Sequence, residues 1–181
     1  MNTAVISDNK TSMKTIISDF KQLTKVGLSL SVVFSSVAGY LLAVETVDYF
    51  ILFLLAIGGF FMVGASNAFN QIIEKDTDAI MKRTQNRPLP TGRMSVNVAL
   101  TIAIVFTVLG ISILYSINPK SALFGAVSIF LYTCVYTPLK AVTPLTVFVG
   151  AIPGAIPFML GWVAATNNFG IEAGFLFMIQ F

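Results

Sequence analysis

Charge disappears from this chain in five long stretches: Val26–Val44, Tyr49–Ile73, Met94–Pro119, Ser121–Leu139 and Ala141–Ile171. Each holds the roughly 20 apolar residues that a helix needs to cross a bilayer. Hydrocarbon admits only helices or closed barrels, because no water is there to bond stray backbone groups. Charged residues make up 10% of the chain, against about 25% in a typical soluble domain. The fifth run is too long for one plain crossing, and Thr166, Asn167, Asn168 and Gly170 mark a turn near its end. The expected fold is all-α: a polytopic transmembrane bundle of five complete spans, with a sixth beginning near Ala173. Nine residues remain after Glu172, about 13 Å of helix against a core of roughly 30 Å. The chain therefore reads as part of a larger bundle. A re-entrant or interfacial end is the alternative.

Residues 1–25 form a polar N-terminal segment, and 26–181 an incomplete membrane domain. The segment lacks the apolar core of a secretory signal. Its basic residues are all lysines, joined by Asp8 and Asp19, which argues against a mitochondrial transit peptide. Thr11–Lys25 suits an amphipathic helix at a membrane surface.

The cations are distributed unevenly. Lys10, Lys14, Lys21 and Lys25 precede span one. Lys75, Lys82, Arg83, Arg87 and Arg93 follow span two, and Lys140 follows span four. If spans alternate, all of these share one side and only Lys120 lies opposite. That bias places the N-terminus and the loop after span two in the cytoplasm. A bacterial inner membrane is the expected location. No aromatic residues are interleaved among these cations, so the basic character does not point to nucleic acid. The single cysteine, Cys134, forms no internal disulfide and reads as packing. No histidine is present, so the chain supplies no imidazole base or axial heme ligand.

After the uncharged second span, Glu74, Asp76 and Asp78 arrive within five positions. If the helix continues to Asp78, a spacing of four puts Asn70, Glu74 and Asp78 on one face. Asn67 falls on the same stripe, while Asp76 points about 200° away from Glu74. Asp76 suits a second layer of contacts or an ion pair with Lys75 or Lys82. Oxygen ligands alone suit a hard cation such as Mg²⁺, which commonly arrives with a phosphate. These acids would equally serve as a solvated helix end. That reading explains less well why the polar stripe runs back into the membrane.

The following K-R-T-Q-N-R-P-L-P-T-G-R is a loop. Lys82, Arg83 and Arg87 lie near the acids, where cations and a metal together could hold a diphosphate. They also read as positive-inside anchors, and Arg93, next to span three, reads chiefly as one. In Y-T-P-L-K, Tyr136 is either a phosphate-bonding or cation-shielding residue or an interfacial tyrosine. Lys140 lies four residues on, with Pro138 between them as a potential helix breaker. In G-A-I-P-G-A-I-P-F-M-L-G-W, Gly150, Gly154 and Gly161 permit close helix contacts, and Pro153 and Pro157 loosen the helix. The result is either a wide apolar cavity or tight packing, and Trp162 either a cavity wall or a belt residue.

Together these motifs resemble the intramembrane (UbiA-type) prenyltransferase superfamily, and within it the heme-modifying branch. The series Asn70, Glu74, Asp78 is similar to the superfamily's first Asp-rich motif. The run from Asp76 to Arg93, then Y-T-P-L-K-A-V-T-P and G-A-I-P-G-A-I-P-F-M-L-G-W, resembles the heme branch. The likeness covers roughly Lys25 to Phe181. It implies an enzyme that transfers a farnesyl group from farnesyl diphosphate to a vinyl group of heme B, giving heme O. It further implies Mg²⁺ on Asn70, Glu74 and Asp78, diphosphate neutralised by Arg83, Arg87 and Lys140, and an apolar cavity shielding an allylic cation from water.

The chain departs from the family pattern at several places. Lys25, Val26 and Gly27 stand for K-P-R, Ala141 follows Lys140 where Lys-Arg is common, and Thr146 stands for an Asn. The resemblance bears less on those positions than on the first motif. The second Asp-rich motif and a histidine-bearing stretch would lie beyond Phe181, and Glu172 is the only acid after Asp78. This stretch alone is therefore expected to be inactive. One alternative is a prenyltransferase acting on a quinone precursor or another aromatic. The other is an ion or proton transporter, which the lack of ionisable groups inside spans one, three and five disfavours.

Overall fold

The structure, a computed structural model, describes residues 13–181. Lys10, Asp8 and the first two residues of the expected amphipathic helix lie outside the described residues. Eight helices are present among them: α1 Met13–Thr24, α2 Val26–Ala43, α3 Tyr49–Ile73, α4 Lys75–Ile80, α5 Val96–Ile117, α6 Pro119–Leu139, α7 Thr146–Thr166 and α8 Ile171–Gln180. Of these, α2, α3, α5, α6 and α7 are long and apolar enough to cross a membrane. These are the five expected spans, and α8 is the short sixth element. Phe34, Phe53, Val108 and Phe148 are exposed, the pattern of a bundle whose outer surface meets lipid rather than water.

The span ends are set by local chemistry. Asp48 caps α3 by accepting from the backbone N–H groups of Phe50 and Ile51, at 2.9 and 3.2 Å. Asn118 caps α6 through the Ser121 N–H at 2.8 Å, with Pro119 in the first turn. In both cases a short polar side chain satisfies donors that have no partner within the helix.

Two features of the packing bear on the site. At the first, α2 and α7 cross so closely that a Cβ on Gly39 would collide with the Phe158 carbonyl oxygen, and one on Gly161 with that of Ser36. Backbone approach of this kind is the usual use of small residues between membrane helices. Gly161 meets the sequence expectation, and Gly150 abuts the Tyr136 ring. Gly154 has open space beside it. The second feature ties α1 to α3. The Gln71 side-chain amide donates to the carbonyls of Gln22 and Leu23, both at 2.9 Å, and Asn67 donates to that of Thr24 at 3.3 Å. Those carbonyls are the ones a helix end leaves without partners.

The main core gathers Leu55, Met62, Leu114, Ile156, Leu160 and Val163. Inside it the apolar pocket bounded by Val33, Met62, Leu114 and Ile156 measures only about 40 Å³. Of the two alternatives that the Gly and Pro pattern left open, this part of the core shows tight packing. The Met62 and Leu114 side chains pack against Gly110, Gly58 and Gly125, in the space those glycines leave. Trp162 is half-buried against the core and does not line that pocket.

Candidate active site

A polar concavity lies at one end of the bundle. It measures about 450 Å³ and is bounded by the end of α3, by α4, by the loop after it, by the end of α6 and by Lys25.

Helix α3 stops at Ile73. Glu74 takes φ −90° and ψ 7°, and α4 starts at Lys75. The helix thus breaks at Glu74 instead of running unbroken to Asp78, yet the hydrogen-bond register persists. Glu74 N–H donates to Asn70 O at 2.9 Å, and Asp78 N–H to Glu74 O at 2.7 Å. Asn70, Glu74 and Asp78 consequently stay on one face and all line the concavity. Asp76 is exposed, outside the concavity, and forms no ion pair among the described residues. Asn67 shares the stripe but is committed to the end of α1.

Asn70 and Asp78 are buried, so their polar atoms need partners. Asn70 Nδ2 donates to Glu74 Oε2. Asn70 Oδ1 accepts from Tyr132 Oη at 3.1 Å and from Lys140 Nζ at 3.4 Å. Lys140 Nζ also pairs with Glu74 Oε1 at 3.0 Å. Arg87 Nη1 pairs with Asp78 Oδ2 at 2.6 Å. The loop that carries Arg87 is a chain of turns, with Thr84 Oγ1 bonded to the Asp78 carbonyl at 3.1 Å and Pro88 and Leu89 buried beneath it. Arg93 lies outside the site as the sequence suggested. Its guanidinium pairs with Asp19 of α1 at 3.0 Å.

The end of α6 is shaped by a π-helical stretch, Leu131–Tyr136, in which the Thr137 N–H donates to Tyr132 O. The wider turn brings Tyr132 and Tyr136 side by side, with ring centroids 5.2 Å apart. Such stretches recur at functional sites. Pro138 does not break the chain here, because Lys140 N–H still reaches Tyr136 O at 3.3 Å. The Lys140 ammonium sits 4.6 Å from the centre of the Tyr136 ring, within cation–π range.

Of the residues singled out from sequence, Asn70, Glu74, Asp78, Arg83, Arg87, Tyr136 and Lys140 line one concavity. Lys82 is exposed and does not. Two further residues belong to the site. Tyr132 holds the Asn70 carbonyl oxygen. Its signal was its place four residues before Tyr136, which α-helical spacing would have shown. Lys25, which the charge pattern counted only as a topological lysine, lines the concavity from the turn between α1 and α2. Its backbone is left-handed, φ 45° and ψ 57°, a conformation that a non-glycine residue adopts at a cost. Burial pulls the Lys25 ammonium, which lies outside the spans, down to about 8. The neighbouring charges of Arg87 and Lys140 add to that, against the opposing pull of Glu74 and Asp78.

Among the described residues no three His, Cys, Asp or Glu side chains form a metal cluster. The donor set on offer is two carboxylates and one amide oxygen. That set is too sparse for an all-protein cage. It fits Mg²⁺, which keeps several waters and takes one or two carboxylates plus substrate phosphate. Four cations, Lys25, Arg83, Arg87 and Lys140, face the two carboxylates across the concavity. The surplus positive charge suits a polyanion.

Comparison with known proteins bears on the family and the fold. The UbiA prenyltransferase family profile matches residues 32–181. Protoheme IX farnesyltransferase of Flavobacterium psychrophilum is 69% identical over 93% of this chain and 57% of its own length. The mitochondrial protoheme IX farnesyltransferase of Homo sapiens is 39% identical over 88% of this chain and 37% of its own. The chain thus spans little more than half the length of its bacterial relative. A solved structure described as addressing digeranylgeranylglyceryl phosphate synthase superposes with a TM-score of 0.82 at 21% identity, covering 91% of this chain and 58% of that one. A UbiA homolog from Archaeoglobus fulgidus, bound to DMAPP and Mg²⁺, superposes at 0.72 and 18% identity, over 90% and 60%.

Proposed function

Because the chain belongs to the UbiA prenyltransferase family, we propose that it supplies the first diphosphate-binding half of a heme farnesyltransferase. The whole protein would join a farnesyl group from farnesyl diphosphate to a vinyl group of heme B, giving heme O. The observation that carries this reading is the convergence of Asn70, Glu74 and Asp78 with Arg83, Arg87 and Lys140 on one concavity. The names of relatives at 64–69% identity favour heme as acceptor.

Asn70, Glu74 and Asp78 would hold Mg²⁺, as the A. fulgidus homolog's bound ion suggests. When bound, the ion supplies charge neutralisation on the diphosphate. The chain's own residues do the rest. Arg83, Arg87 and Lys140 stabilise the negative charge that grows on the diphosphate as its bond to the allylic carbon lengthens. Tyr132 fixes the Asn70 amide, and the Tyr136 ring holds the Lys140 ammonium beside Glu74. Lys82, exposed and off the concavity, serves as a membrane-side anchor. On the cation bias, this end of the bundle would face the cytoplasm of a bacterial cell, with the spans in the inner membrane.

The test is product identity. Full-length protein in detergent is given Mg²⁺, farnesyl diphosphate, and either heme B or a quinone precursor such as 4-hydroxybenzoate. Farnesylated heme alone supports the reading. Prenylated benzoate alone would reassign the acceptor within the same family.

A further inference from the structure

Neither carboxylate of the acidic series is free. Arg87 holds Asp78 at 2.6 Å, and Lys140 holds Glu74 at 3.0 Å while also reaching Asn70 Oδ1 at 3.4 Å. Lys140 Nζ thus bridges an oxygen of each of two proposed metal ligands. It comes from the far end of α6, and its position there is steered by the Tyr136 ring. The concavity as a whole carries four cations against two carboxylates. A lone divalent cation would meet surplus positive charge and a carboxylate already neutralised. An incoming diphosphate would meet neither obstacle.

We infer that Lys140 is a latch on the metal position, released when a diphosphate takes its ammonium. This rests on the reading of Asn70, Glu74 and Asp78 as metal ligands. In the latched arrangement Lys140 satisfies Glu74 and the Asn70 oxygen. When diphosphate oxygens accept the Lys140 and Arg87 donors instead, Glu74 and Asp78 become available to a divalent ion. Charge is conserved in the exchange, since each group swaps one opposite partner for another. Metal and diphosphate then favour each other's binding by a common factor, as linkage requires. The arrangement disfavours a metal-loaded, substrate-free site.

The measurement is Mn²⁺ affinity of the full-length protein without diphosphate, read from the EPR signal of free Mn²⁺. Lys140→Met should bind Mn²⁺ more tightly than wild type, on the order of ten-fold. Lys140→Arg, which can keep the pairing, should stay near wild type. Lys25→Met also removes a positive charge from the concavity but breaks no pair with Glu74, so it should tighten Mn²⁺ by much less. A gain in affinity cannot come from a misfolded variant. If Lys140→Met leaves Mn²⁺ affinity unchanged or weaker, or if Lys25→Met tightens it equally, the latch is wrong. A final arm adds inorganic diphosphate to wild type. If Mn²⁺ binds there but Lys140→Met gave no tightening, only the latch falls. If Mn²⁺ fails to bind even with diphosphate, the metal reading falls with it.

Discussion

Lys25 carries its charge at a cost. Its ordinary value of 10.5 is pulled to about 8 by burial, then by the Arg87 and Lys140 charges. Between those two values the unfolded chain holds more protons than the folded one, so stability should rise with pH across that window. Below about 8 the penalty is present in full. A prenyl diphosphate beside Lys25 would restore the charged form, because an opposite charge favours it. Binding at pH 8 should therefore take up protons, and affinity should fall as pH rises through that region. Calorimetry in two buffers of different ionisation heat reads the uptake, and Lys25→Met should abolish it. The Lys25 role was hidden because its sequence context, a lysine before an apolar run, is that of any topological anchor. Only the left-handed turn that folds it back under α3 reveals it. The acids were legible, since a spacing of four survives even the break at Glu74.

The elements follow from sequence most directly where a single physical demand sets them. Span length is one such demand: α2, α3, α5 and α7 sit within the uncharged runs, and α6 overruns its own only by Pro119 and Lys120. The π-helical stretch of α6 is not legible, because a shift from i→i+4 to i→i+5 bonding leaves no residue signature in L-Y-T-C-V-Y. The role of Asn67 is not legible for a related reason. Its stripe was visible, but not that α1 folds back to offer its terminal carbonyls. Gln71→Leu removes the donor shared by the Gln22 and Leu23 carbonyls and should lower stability by about 1–3 kcal/mol, seen as earlier thermal unfolding in detergent. Gly161→Leu forces a side chain onto the Ser36 carbonyl at the α2–α7 crossing. It should depress the folded yield far more than Gly154→Leu, where there is open space.

Among the described residues, large apolar side chains are exposed along the spans, and every Lys and Arg but Lys120 lies before α2, after α3 or after α6. The fold places the acids on the end of one span, the cations on the loop after it and on the end of another, so the site exists only when α3 and α6 pack. A membrane bundle can hold a polyanion there because that rim still meets water, while the core behind it stays dry. In the proposed reaction, Asn70, Glu74 and Asp78 with their facing cations hold the diphosphate through which the farnesyl group is transferred. The most direct test is heme O formation by full-length Glu74→Gln and Asp78→Asn, beside Asp76→Asn as the acid that lies outside the concavity. A loss on the order of 100-fold is expected for each of the first two and a wild-type rate for the third. Wild-type rates from Glu74→Gln and Asp78→Asn would contradict that expectation.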